Sequence, residues 1–239
     1  MKKKIKIFGI KFFDISFEEL SKDFSKGVTI MFPAAPNLID VYNDKYYRDA
    51  LKKSDYVLFD SGYLCLLLKI FKKTNVKKFS GAKFIREFIK KISKKKYKIL
   101  LVDPNREHSK INLNYLKKVG VQKPVSYVAP IYHTKKINDQ KLLVQIKKIN
   151  PNFIMINIGG GIQEILATFI RKNIKSKTTI LCTGAAIAYL TGQQANIPKI
   201  IDKIYLGWFF RIIFSPRLYL FRYLKSFKLI NLVIKDQTK

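Results

Sequence analysis

"YVLFDSGYLCLLL" (residues 56–68) contains the junction on which the architecture turns. Tyr56 to Phe59 form a short apolar run of strand length. Asp60, Ser61 and Gly62 interrupt it. The apolar stretch that follows, continuing through "KIF" to residue 71, is long enough for a helix. A buried strand, a polar corner and then a helix is the repeating unit of a parallel α/β sheet.

The same alternation extends in both directions. "KIKIF" (4–8), "VTIMF" (28–32), "KILLV" (98–102), "FIMINI" (153–158) and "TILC" (179–182) read as buried strands, with "VSYVA" (125–129) a weaker one. Helical period appears between them, in "FEELSKDF" (apolar at 17, 20 and 24), in "FIREFIKKI" (84, 85, 88, 89 and 92) and in "LLVQIKKI" (142–149). The expected fold is α/β, a sandwich around a mainly parallel sheet. Ligands in such a sheet bind beyond the carboxyl ends of its strands. The segments that follow the runs, "PAAPN", "DSG", "DPN", "GGGIQE" and "TGAA", are small, polar or Gly-rich, as a cleft floor requires.

Composition narrows the partners. With 239 residues, 48% hydrophobic and 13% aromatic, the chain can bury a sizeable core, which excludes global disorder. Lys and Arg number 47 against 16 Asp and Glu, a formal net charge of +31. That excess calls for an anionic partner such as nucleic acid, a membrane surface or a phosphorylated substrate. It is mostly Lys in a chain rich in Ile and Asn, so a coding bias accounts for it equally well. Cys65 and Cys182 sit in apolar surroundings and read as buried reduced thiols; His108 and His133 are isolated. Neither a disulfide framework nor a metal site is expected, and no cofactor is called for. The start "MKKKIKIFGIKFFD" reads as a first strand, since charges interrupt its apolar part. No stretch approaches the roughly 20 apolar residues that span a bilayer. The expected location is cytoplasmic.

Character changes near Ile197, which divides the chain into a core (1–196) and a C-terminal tail (197–239). In the tail Arg211, Arg217, Arg222, Lys225 and Lys228 interleave with Trp208, Phe209, Phe210, Tyr219, Phe221 and Phe227. Such a basic, aromatic stretch suits an interfacial membrane helix; packing on the sheet is the alternative, and one face could do each.

Several corners could carry chemistry. Asp60 at a strand exit could act as a general base, or simply as the N-cap of the following helix. Ser61 is a second capping candidate, and Gly62 would admit a close substrate. Gly159, Gly160 and Gly161 expose backbone amides at a helix start, either a phosphate cradle or a tight turn. Gln163 and Glu164 could hydrogen-bond sugar hydroxyls. Asp103 could accept from a ribose or form a turn in "DPN".

Taken in order, these segments resemble the bacterial WecG/TagA/CpsF glycosyltransferases over nearly the whole chain. The resemblance rests on "PAAPNL", "YYRDALKKSDYVLFDSG", "FSGAKFI", "KILLVDPN", "INIGGGIQE", "TGAAIAYLTGQQANIPK" and "YLGWFFRIIFSPRLYLFRY". It implies a Rossmann-like core and an inverting, metal-independent transfer. The sugar, of N-acetylmannosamine type, would pass from UDP to an acceptor linked to polyprenyl diphosphate, in cell-surface polysaccharide synthesis on the inner face of the membrane. It implies Asp60 as base and Arg211, Arg217 and Arg222 as the cations that neutralise diphosphate. Asn37, Ser61, Gly62, Ser80, Gly81, Asp103, Gln163, Glu164 and the three glycines would contact substrates, and Tyr132 would stack on uracil or merely pack. An anionic membrane surface is an implied partner, and the tail's apolar surface could meet lipid or a second copy of the chain. This sequence departs from the family at Ala35, where Thr is usual, at Lys83, where an acid is usual, and at Ile162, where Lys is usual. Two alternatives remain: a nucleic-acid binder, against which the absence of a recognised module counts, and a catalytically silent membrane-associated relative. A chain cut before Ile204 is expected to keep a folded core.

Overall fold

The computed structural model describes residues 3–93, 95–133, 135–194, 201, 205–214 and 216–237. Eight strands form one sheet: β1 (Lys3–Ile7), β2 (Ile10–Asp14), β3 (Thr29–Met31), β4 (Tyr56–Leu58), β5 (Ile99–Asp103), β6 (Val125–Val128), β7 (Phe153–Ile156) and β8 (Thr179–Cys182). Their spatial order is β1-β2-β4-β3-β8-β7-β5-β6. All neighbours are parallel except β1 and β2.

The first apolar run therefore ends differently from the single strand expected of it. It folds back at Phe8 and Gly9, whose φ angles are 55° and 70°, and "IKFFD" returns as β2. A two-residue turn with both φ positive matches the twist of a hairpin, so the sheet gains an antiparallel edge. "VSYVA" supplies β6, the opposite edge, and is correspondingly less buried than the central strands.

The central strands are apolar on both faces because helices cover both faces. Met31, Val57, Leu100, Val102, Ile154, Ile156 and Ile180 point into one core layer, which α3 (Lys45–Lys53), α4 (Gly62–Phe71), α7 (Gln140–Ile149) and α8 (Ile162–Asn173) close. Ile30, Leu58, Ile99, Leu101, Met155 and Leu181 point to the other, under α1 (Phe17–Ser21), α5 (Gly81–Ile92) and α6 (Arg106–Lys118). Alternate residues thus serve opposite layers, the period-2 rule of a strand. Helix α2 (Ala35–Leu38) follows β3.

Among the described residues three further helices follow toward the C-terminus: α9 (Gly207–Phe214), α10 (Pro216–Ser226) and α11 (Lys228–Lys235). They pack on the core, α10 against α2, and α9 and α11 against α4. Leu229 and Val233 of α11 are fully buried in the first core layer, each worth about 2 kcal/mol of burial. The end of the chain is fastened as well. Asp236 Oδ2 accepts from the Phe8 backbone N–H at 3.0 Å, and Lys72 Nζ donates to the Asp236 carbonyl at 2.6 Å.

Candidate active site

A cavity of about 340 Å³ opens at the carboxyl ends of the parallel strands. Its walls come from the residues after β3 (Asn37), β4 (Asp60 to Tyr63), β7 (Asn157 to Gly160) and β8 (Thr183 to Ala186), together with the start of α5 and part of the tail. The strand-to-helix corners read from sequence converge here.

At the β4 corner the two capping candidates separate. Ser61 caps α4, its Oγ accepting from the Leu64 N–H at 3.1 Å. Asp60 faces the cavity, and its Oδ1 accepts from the Gly81 N–H, the first amide of α5, at 2.7 Å. The positive end of α5 thereby holds the carboxylate in place. Ser80 caps α5 by accepting from the Lys83 N–H at 3.2 Å. Gly62 lines the cavity, and an added Cβ there would lie 2.9 Å from the Tyr205 carbonyl oxygen, so the tail crosses directly over the corner.

Asp60 is the only carboxylate among the described lining residues, whereas Lys78, Lys83, Arg86 and Arg222 all line the cavity. Lys83 also lies 3.8 Å from Glu87 in an exposed pair, an arrangement worth little. Of the three tail arginines, Arg222 reaches the cavity. Arg217 is exposed on α10 outside its lining, and the side chain of Arg211 lies outside the described residues. Lys78, Arg86 and Asn157 were missed from sequence. The one available signal was the spacing of Lys83 and Arg86, three apart on α5, which places them on one face.

The glycine loop is shaped around Asn37. A Cβ on Gly160 would sit 2.8 Å from Asn37 Oδ1, so any side chain there must displace Asn37 between the β7 loop and α2. Gly159 and Gly160 line the cavity; Gly161 does not, and its N–H turns back to Glu164. Gln163 lines the cavity although only 3% exposed.

Three expected contacts lie elsewhere. Asp103 is fully buried behind the wall. Its Oδ1 accepts from Asn112 and Asn157 at 2.8 Å each, and its Oδ2 from Ser126 at 2.7 Å, so Asn157 faces the cavity in its stead. Tyr132 donates to Asp139 Oδ2 at 2.7 Å, packs against the first core layer and lines no part of the cavity. Burial and Asp139 push its phenol well above the usual range. Glu164, 1% exposed, serves the loop from beneath, and burial raises its carboxyl to about 7. At the tail side the Tyr63 hydroxyl and Trp208 Nε1 are buried and find no hydrogen-bond partner among the described residues, their rings 5.3 Å apart.

Among the described lining residues one carboxylate, held by a helix amide, is faced by several cations, an arrangement that can take up a proton beside a bound anion. Residues 5–239 match the glycosyl transferase WecG/TagA/CpsF family, to which the chain belongs. A curated relative from Bacillus subtilis (strain 168), N-acetylglucosaminyldiphosphoundecaprenol N-acetyl-beta-D-mannosaminyltransferase, is 23% identical over 176 residues. That match takes in 72% of this chain and 66% of the relative, so the chain spans just under two thirds of the relative's length.

Proposed function

We propose that the protein is an inverting glycosyltransferase that moves an N-acetylmannosamine-type sugar from UDP, held in a Rossmann-like core, to a sugar carried on polyprenyl diphosphate at the inner face of the membrane, without a required metal. Asp60 removes the proton from the acceptor hydroxyl as that oxygen attacks the anomeric carbon. The bond from the anomeric carbon to the UDP oxygen breaks, and negative charge accumulates on the diphosphate. Arg222, Lys78, Lys83 and Arg86 balance that charge, Arg222 through its planar fork. Asn37, Asn157 and Gln163 supply polar contacts to the sugars. The carrying observation is the charge distribution of the cavity, whose described lining has a lone carboxylate among four cations. The name of the Bacillus subtilis relative, which specifies a sugar on diphosphoundecaprenol, supports the acceptor class.

The membrane role is supported by the outer face of the tail. Phe209, Ile213, Phe214, Phe221 and Leu224 are exposed there, Phe221 to 72%, close in sequence to Arg217 and Lys225. Among the described residues no helix is long and apolar enough to cross a membrane. An interfacial helix needs no such length, because it lies in the headgroup region. The deciding experiment is a screen of UDP-sugars against polyprenyl-diphosphate-linked acceptors with Asp60→Asn as control. Product from the native chain alone supports the reading; no product with any pair refutes it.

A further inference from the structure

Beneath the cavity wall runs a buried hydrogen-bond chain anchored on Glu164, a residue to which the transfer chemistry assigns no part. Glu164 lies in the first turn of α8 and is 1% exposed. Its Oε2 accepts from the Gly161 N–H at 2.6 Å, and its Oε1 from Gln163 Nε2 at 3.0 Å. Gln163, 3% exposed, in turn accepts the Gly184 N–H on its Oε1 at 2.8 Å. Three bonds therefore join the glycine loop after β7 to the turn after β8, and both segments form cavity wall.

The polarity of this chain is dictated from one end. A carboxylate only accepts, so the group facing it must donate. Gln163 therefore turns its NH₂ toward Glu164, which leaves its carbonyl for the Gly184 N–H. An amide at position 164 that kept its oxygen on Gly161 would present NH₂ to NH₂. Relief would require Gln163 to flip, and the flipped amide would set a second donor against the Gly184 N–H.

We infer that Glu164 is a positioning residue: as an acceptor-only group it fixes the amide orientation of Gln163 and, through it, the spacing between the glycine loop and the Gly184 turn that frame the sugar side of the cavity. Its effect on turnover rests on the glycosyltransferase reading; its effect on Gly184 does not. Burial makes the charge costly, since it lifts the Glu164 carboxyl to about 7. A neutral amide of the same shape would be easier to bury. An acid placed here at that cost fits a role in geometry rather than in stability. The titratable groups facing it are Tyr47 from α3 and Cys182 from β8. Burial, reinforced by the Glu164 charge, pushes both well above their usual values, so both stay neutral near pH 7.

Gly184 is the reporter, because its amide touches Gln163 and not Glu164. In the full-length native protein, the amide resonances of Gly161 and Gly184 should titrate together between about pH 6 and 8 as Glu164 ionises. A Gly184 resonance that stays still while Gly161 moves overturns the inference. In Glu164→Gln at pH 8, Gly184 exchange should quicken by roughly tenfold or more with the melting temperature held or raised. The KM for the UDP-sugar should rise about tenfold and more than kcat falls. Unchanged Gly184 exchange, or stability and activity lost in parallel, overturns it. If the variant does not fold, the titration of the native protein decides. If no UDP-sugar is a substrate, both amide measurements still stand, so failure of the reaction and failure of the positioning role are told apart.

Discussion

At the scale of single residues, the structure distinguishes acids that look alike in sequence. Asp60 and Asp103 both stand at the carboxyl end of a buried strand. Asp60 faces the cavity, whereas Asp103 is enclosed by Asn112, Ser126 and Asn157. Replacing a positioned general base removes about 10²- to 10⁴-fold of rate. Asp60→Asn should accordingly lower kcat on that scale while UDP binding, measured by calorimetry, stays within a few-fold. Glu164 makes a prediction of opposite sign for stability. Its folded value of about 7 lies above the model-compound value of 4.5, so protonation favours the fold. That stability is complete below about pH 4.5, declines as pH rises through 7 and is then gone, roughly 3 kcal/mol in all. Glu164→Gln has no such loss. Its stability relative to the native chain, from urea unfolding, should improve between pH 5 and pH 8. Tyr47 offers a simpler case, since its hydroxyl is buried with no partner among the described residues. Tyr47→Phe should raise stability by about 1 kcal/mol in the same assay, because an unsatisfied polar group leaves the interior.

At the scale of elements, loop and helix have separate tasks. The glycine loop after β7 is shaped by contact, as the approach of Asn37 to Gly160 shows. Gly160→Ala forces Asn37 or the loop aside. It should reduce turnover about tenfold or more while the melting temperature shifts by only a few degrees. The last helix, α11, is a core element despite its position at the end of the chain. Leu229 and Val233 are fully buried beside α4. Leu229→Ala should cost about 2–4 kcal/mol by urea unfolding, the range of a large-to-small core substitution. An appendage that merely rested on the surface would show almost no change.

For the molecule as a whole, the tail joins stability to function. It covers α4, places Arg222 at the cavity, crosses Gly62 and is bonded through Asp236 to the first hairpin. A chain cut before Ile204 would expose the apolar face of α4 and leave Phe8 N–H without its partner. Removal of the tail should therefore lower the melting temperature markedly or cause aggregation, which replaces the expectation of an undisturbed core. The outward face carries a different prediction. Phe214→Ser combined with Phe221→Ser should weaken binding to anionic vesicles about tenfold or more, as loss of two inserted aromatics implies. Turnover on a water-soluble acceptor should change little.

The alternation of apolar run, polar corner and amphipathic helix was readable along the chain, because a strand or helix imposes its period on neighbouring residues and Gly, Ser and Asp mark its ends. That local signal was enough for the α/β class and for placing Asp60 and Gln163 at corners that line the cavity, whereas Asn37 was singled out only through the family resemblance. It carried no information on partners remote in sequence. Asp103 turns inward because donors from α6, β6 and the β7 exit meet it there. Phe8 and Asp236 bond across 228 positions. Lys78 and Arg86 become cavity residues only once α5 stands against the β4 corner. Where a side chain points depends on what the folded chain brings opposite it, and that is set by packing rather than by spacing.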